Sequence, residues 1–161
     1  MLTPSPLRPE HQRLSAFIGT FEGDERVAAT PWTSAGVAKG YLSATSDLGG
    51  LFVNQTYRQV RDGKTSFEAR NIFGFDVSDG SYKLYQFDIV GFVPSSPASG
   101  TWSGNELILQ KSSPRGRARS VYQFEDQDRF QLRVDFAPIG SDIWQDVVSG
   151  VYRRTSAVDH Q

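Results

Sequence analysis

The feature that most constrains this chain is a run of short alternating segments separated by tight turns. Asp62-Gly63 divides two strand-like runs. That dipeptide suits the positive φ angles of a two-residue hairpin. Asp79-Gly80 closes the next connection, and Gly104-Asn105 joins two further short runs. Residues 125–128 and 138–142 link the last three runs, while 93–99 forms a longer loop. The pattern predicts strands near 20–29, 36–46, 51–61, 64–75, 81–91, 100–104, 105–111, 117–125, 129–137 and 143–153. Sequential strands of this kind fold economically as a sandwich or as an up-and-down barrel, which closes and so removes exposed edges. Hairpins in series, without a clear long crossover, favour the barrel.

One short helix precedes the strands. Pro9 suits a first helical turn, where its missing N–H has no partner to lose. Leu14, Phe17 and Ile18 fall on one face, and Gly19 is placed to stop the helix. Residues 1–8 and 155–161 read as flexible tails around a single domain at 9–154.

Composition excludes several function classes. The charge is 17 basic against 18 acidic residues, a net −1, so no nucleic-acid partner is expected. There is no Cys, which removes disulfides, thiolate metal sites and cysteine nucleophiles. The two His, at 11 and 160, lie at the chain's edges, and no metal site is expected. No stretch approaches a membrane-spanning helix and the opening lacks a secretory pattern; a cytoplasmic protein without membrane insertion is expected.

Alternation separates an inner row from an outer one. Phe130, Leu132, Val134 and Phe136 share one face, against Arg129, Gln131, Arg133 and Asp135 on a solvated face. Ala118, Ser120, Tyr122 and Phe124 oppose Arg117, Arg119, Gln123 and Glu125. Phe67, Ala69, Asn71, Phe73 and Phe75 form another inner row, with Asn71 as its polar member. Segment 81–91 reads either way. With Tyr82, Leu84, Gln86 and Asp88 inward, Tyr85, Phe87 and Ile89 become an exposed apolar stripe that suits a homodimer contact. Segment 51–61 is mixed, with Gln55 and Tyr57 sharing a row with Leu51 and Val53. In the last segment Trp144, Asp146 and Tyr152 alternate with Ile143, Val147 and Val151, and both faces read as covered. The inward rows then define a candidate ligand pocket of Gln55, Tyr57, Asn71, Phe73, Gln86, Asp88, Tyr122 and Phe136. Its polar members break the apolar pattern of a core serving stability alone, where an unpaired buried polar group costs about 1–3 kcal/mol.

Other chemistry is sparse. His11 reads as tying the helix to the strands, and Asp88, Asp135 and Asp146 as candidate paired carboxylates whose separation the sequence does not fix. Lys111, Arg115, Arg117 and Arg119 form a basic cluster that could draw an anionic ligand to a barrel mouth.

Several motifs, in order, resemble the DUF1579 family. They are Glu10-His11-Gln12-Arg13-Leu14 with Ile18-Gly19-Thr20-Phe21-Glu22-Gly23, then Leu48-Gly49-Gly50-Leu51-Phe52, Gly74-Phe75-Asp76 with Tyr82 and Asp88, the run 101–107, and Tyr152-Arg153-Arg154. Phe21 replaces the family's usual Trp, and Gln86 stands where an aromatic is common. The resemblance implies an all-β, roughly ten-stranded antiparallel barrel of calycin (lipocalin-like) type, with one N-terminal helix. The Gly19-Thr-Phe-Glu-Gly23 opening also loosely resembles haem barrels of the nitrobindin type. With no His between 12 and 159, no Cys and Met1 as the one Met, Tyr is the axial ligand left, a rare one, and haem is not expected. The leading expectation is a non-catalytic barrel binding a small, largely apolar molecule with one polar end. The alternatives are a small isomerase or hydrolase using Asp88 or His11 with tyrosines, and a solid structural barrel.

Overall fold

The computed structural model describes residues 2–155. Residues beyond 155, His160 among them, lie outside the described residues. Ten antiparallel strands close into one barrel in the order β1-β10-β9-β8-β7-β6-β5-β4-β3-β2. They are β1 (Gly19–Val27), β2 (Gly36–Asp47), β3 (Phe52–Arg61), β4 (Lys64–Asp76), β5 (Ser81–Asp88), β6 (Ala98–Ser103), β7 (Glu106–Ser113), β8 (Gly116–Asp126), β9 (Arg129–Pro138) and β10 (Gln145–Arg154). Closure comes from β1 pairing with β10, Phe21 opposite Arg154 and Val27 opposite Val148. The β3–β4 turn has positive φ at both Asp62 (51°) and Gly63 (75°), the geometry its sequence predicts.

The helix α1 (Pro9–Arg13) continues into a 3₁₀ turn over Leu14–Phe17. Ile18 is already extended, so the helix stops one residue before Gly19, which opens β1 at φ 117°. His11 is buried; its Nδ1 accepts from the Arg8 N–H, and its ring meets Phe75 edge-on. The helix therefore seats as a plug. Phe17, with no exposed surface, stacks on Phe73 and meets Trp102, Tyr122, Phe124 and Phe130 edge-on. This end of the barrel is packed with aromatic rings.

The hairpin order puts the loops 28–35, 62–63, 89–97, 114–115 and 139–144 together at the other end. That end carries no plug. Several inward positions near it stay accessible, Gln86 and Ala118 being exposed and Phe67, Asp88, Lys111, Ser120 and Phe136 half-buried. The wall is also incomplete there. β5 pairs with β6 through Tyr82, Leu84 and the Lys83 between them, so residues 85–88 have no paired strand on that side. One end is thus a solid core and the other an open mouth with a split between β5 and β6.

Four readings of the rows are corrected. Asp135 lies on the outward row as expected, yet it is 2% exposed rather than solvated. Arg119 and Arg133 bond its Oδ2 at 2.8 and 3.0 Å and cover it. Burial opposes its charge, but the two guanidinium groups prevail and hold its carboxyl below the usual carboxylate range. In β10 a register irregularity between Asp146 and Val148 breaks the alternation. Val148, Gly150 and Tyr152 point inward opposite Val134, Leu132 and Phe130, while Trp144 lies against Arg117 and Arg119. The basic cluster is not four free cations on one face: Lys111, Arg115 and Arg117 stay at the mouth end, but their partners and faces differ. Lys111 shares the inward row with Ala118, Arg115 sits over Phe92, and Arg119 is committed to Asp135. Nor do the three aspartates meet: Asp135 and Asp146 are partners on the outer face, and Asp88 is on the inner row of β5.

Candidate functional site

Two polar groups interrupt the apolar interior between plug and mouth. The first centres on Glu25, on the inward row of β1 with Phe21 and Val27 and 2% exposed. Its carboxylate accepts from Tyr57 Oη at 2.8 and 2.7 Å and from Gln59 Nε2 at 3.0 Å, and Tyr152 Oη donates to its Oε2. Burial, reinforced by the Glu25 charge, pushes the Tyr57 and Tyr152 hydroxyls far above the ordinary tyrosine range. They therefore stay protonated donors at any physiological pH. Glycines make the space: a Cβ at Gly40 would collide with Glu25 Oε2, and one at Gly150 with the Tyr152 hydroxyl. No cation takes part in these bonds. Donors fill both carboxylate oxygens, so the group acts as a hydrogen-bonded tie across β1, β3 and β10.

The second group lies on β3, β4 and β5. Asn71 Nδ2 donates to Gln55 Oε1 at 2.9 Å, the two being register partners. Asn71 also faces Gln86, whose Nε2 donates to Asp88 Oδ2 at 3.2 Å nearer the mouth. Asn71 is 6% exposed, and its Oδ1 has no hydrogen-bond partner among the described residues. A buried acceptor without a donor is costly, and it marks a place for a missing partner.

The register places the eight sequence-predicted residues at different depths on inward rows. Phe73 and Tyr122 belong to the filled aromatic half. Gln55, Asn71, Gln86 and Asp88 form one polar face toward the mouth, and Tyr57 turns to Glu25. Phe136 lies at the mouth, edge-on to Trp32. Asp88 and His11, the two residues named for an enzyme, lie apart, His11 in the plug and Asp88 facing the mouth. Glu25, Gln59 and Tyr152 were missed as a group. Glu25 carries a readable signal, an acid on a row with Phe21, Gly23 and Val27; its partners come from strands distant in sequence and leave none. A recess of about 950 Å³ on the outer wall is lined mostly by outward-row residues such as Asp24, Lys39, Tyr41 and Arg133, and Glu25 also borders it.

Among solved structures, the barrel is similar to the M. tuberculosis protein Rv2717c, with a TM-score of 0.70, 18% identity, and 93% of this chain and 99% of that one covered. It is also similar to an S-type phycobiliprotein lyase from Guillardia theta, with a TM-score of 0.66, 7% identity, and coverage of 91% and 92%. Both share its lipocalin-like barrel architecture. No curated protein matches the sequence. A family profile described as Protein of unknown function matches residues 6–154, and the chain belongs to that family, DUF1579.

Proposed function

We propose that the barrel is a non-catalytic binding protein for a small, largely apolar molecule whose one polar end donates a hydrogen bond. The observation that carries this reading is the unpartnered Oδ1 of Asn71, buried on an inward row below an open mouth. Small inward side chains support it: Ala98 and Ala118 leave space near the mouth, while Leu109 and Phe136 offer apolar walls. A few convergent polar groups in an apolar recess are what fix the orientation of such ligands. The similarity in fold to a phycobiliprotein lyase agrees with a barrel that holds a small molecule.

Retinol, apolar with one hydroxyl donor, is a suitable probe through tryptophan energy transfer. Saturable one-to-one binding is expected. Asn71→Leu should weaken it about tenfold while thermal stability holds or rises, because the orphaned acceptor is gone. Binding untouched by Asn71→Leu would remove Asn71 as the anchor, and an absence of saturable binding would count against this ligand class.

A homodimer belongs to the same proposal. Tyr85, Phe87 and Ile89 are 41%, 42% and 60% exposed on the outer face of the β5 segment. The unpaired flank of residues 85–88 offers a second copy backbone partners as well. Sedimentation velocity should give a dimer that Phe87→Lys converts to monomer; a wild-type monomer at high concentration would reject it. The expected cytoplasmic location is carried forward too, with cell fractionation as its check.

A further inference from the structure

We infer that the mouth of the barrel docks on an anionic lipid surface. Trp32, Ile89, Phe92, Val93, Ile139 and Ile143 all stand exposed on loops at that end, Phe92 at 65% and Val93 at 83%. They come from three separate loops, 28–35, 89–97 and 139–144, that surround the opening. At the plugged end, the exposed large apolar side chains are Leu48, Phe52, Val77 and Leu7, the last lying against Gly50.

Charge leans the same way. The mouth loops and the strand residues within three positions of them carry six basic residues, Arg26, Arg61, Lys64, Lys111, Arg115 and Arg117, against five acidic ones, Glu25, Asp62, Asp88, Asp142 and Asp146, of which Glu25 is buried. Arg117 reaches Asp142 at 3.5 Å, but Lys64, Lys111 and Arg115 form no ion pair among the described residues. At the other end Glu10, Asp47, Asp76, Asp79, Glu106, Glu125, Asp126 and Asp128 stand against Arg8, Arg13, Lys83, Arg129, Arg153 and Arg154, with Lys83 paired to Asp79 and Arg154 to Asp128. The mouth thus has a slight basic excess and the plugged end a slight acidic one, and the mouth also carries more exposed apolar tips.

This combination fits a bilayer interface. Aromatic and aliphatic tips enter the headgroup boundary, and nearby Lys and Arg are attracted by anionic lipid. A second copy fits less well, since mouth-to-mouth contact would bring Lys64, Lys111 and Arg115 against their own duplicates. The docking is peripheral: among the described residues no helix is long and apolar enough to cross a membrane. It also places the split between β5 and β6 beside the lipid, with the 89–97 loop at the gap.

Vesicle co-sedimentation tests the inference without any interior ligand. Wild-type protein should bind mixed phosphatidylcholine–phosphatidylserine vesicles at least about tenfold more tightly than phosphatidylcholine alone, and high salt should release it. Phe92→Asp with Val93→Glu should lower affinity at least about tenfold, as should Lys64→Glu with Arg115→Glu. Val77→Glu, an exposed apolar site at the other end, should change nothing. All these sites are exposed, and circular dichroism confirms that each variant is folded. Trp32 fluorescence should be quenched by brominated lipid. Failure of the wild type to bind the mixed vesicles overturns the inference, as does binding that the mouth variants leave intact. A dimer of free protein abolished by Phe92→Asp/Val93→Glu, without vesicle binding, would assign the surface to a second copy instead.

Discussion

Glu25 is an acid enclosed by donors, and its surroundings leave it little freedom. Tyr57, Gln59 and Tyr152 all point hydrogens at it, and Gly40 supplies the space in which it turns. Gly40→Ala should therefore destabilise the barrel by about 1–3 kcal/mol, because the side chain it strikes is held by its bonds and cannot swing aside. Denaturant unfolding gives that value directly, and a neutral result would mean the network yields. Tyr152→Phe should cost a similar amount by removing one donor from a buried carboxylate. The tyrosines also set an alkaline limit. Tyr57, Tyr122 and Tyr152 have hydroxyls raised above their ordinary value of 10.0 in the native state, chiefly by burial. Below about pH 10 both states keep these protons, and the contribution to stability is whole. Above it the unfolded chain releases them while the native state does not, so the unfolded state binds fewer protons and stability falls as pH rises. The slope is about 1.4 kcal/mol per pH unit for each such tyrosine. Unfolding free energies followed across pH 10 should show this decline, and Tyr152→Phe should make it shallower.

Among the elements, the helical plug and the fifth strand behave oppositely. Phe17 fills the centre of an aromatic cluster that draws on β4, β6, β8 and β9, so Phe17→Ala should cost about 3–5 kcal/mol, read from the shift in denaturation midpoint. A loss below about 1 kcal/mol would show that the plug is not part of the cooperative core. β5 beyond Leu84 lacks a paired strand on one side, so its amides should exchange earlier than those of β8 and β9. These elements also mark how much the sequence tells. Turn chemistry at Asp62-Gly63, Asp79-Gly80 and Gly104-Asn105 placed the strands to within a few residues, since each turn needs a particular backbone and few residues supply it. The alternation of 129–136 and 118–125 gave the inner rows for the same local reason. The sequence was silent on the β10 irregularity, where the chain shifts register, and on Asp135, whose burial depends on arginines of β8 and β9 together. For the Glu25 group only the acid itself, on a row with Phe21 and Val27, is legible, because its donors lie on β3 and β10, far from it in sequence. The split in the wall is likewise a property of pairing, not of composition.

Taken whole, the barrel divides along its axis into a half that holds it together and a half that is free to do something else. The plugged half has no room: Ala44 is 4% exposed within the core cluster, and adding a ring there forces neighbours out of their packing. The open half has room: Ala118 lies on the inward row opposite Phe136 yet is exposed. The same substitution should then have opposite consequences at the two ends. Ala44→Phe should destabilise by at least about 1–3 kcal/mol, the cost of overpacking a tight core. Ala118→Phe should leave the melting temperature level or raise it slightly, since the new ring gains apolar contact in unfilled space. It should also occupy the volume proposed for a ligand and lower retinol affinity about tenfold or more, each lost contact adding to steric exclusion. A barrel packed solid along its whole length would respond differently, with Ala118→Phe destabilising as Ala44→Phe does. Parallel thermal melts of the two variants therefore distinguish a binding barrel from a structural one before any natural ligand is known.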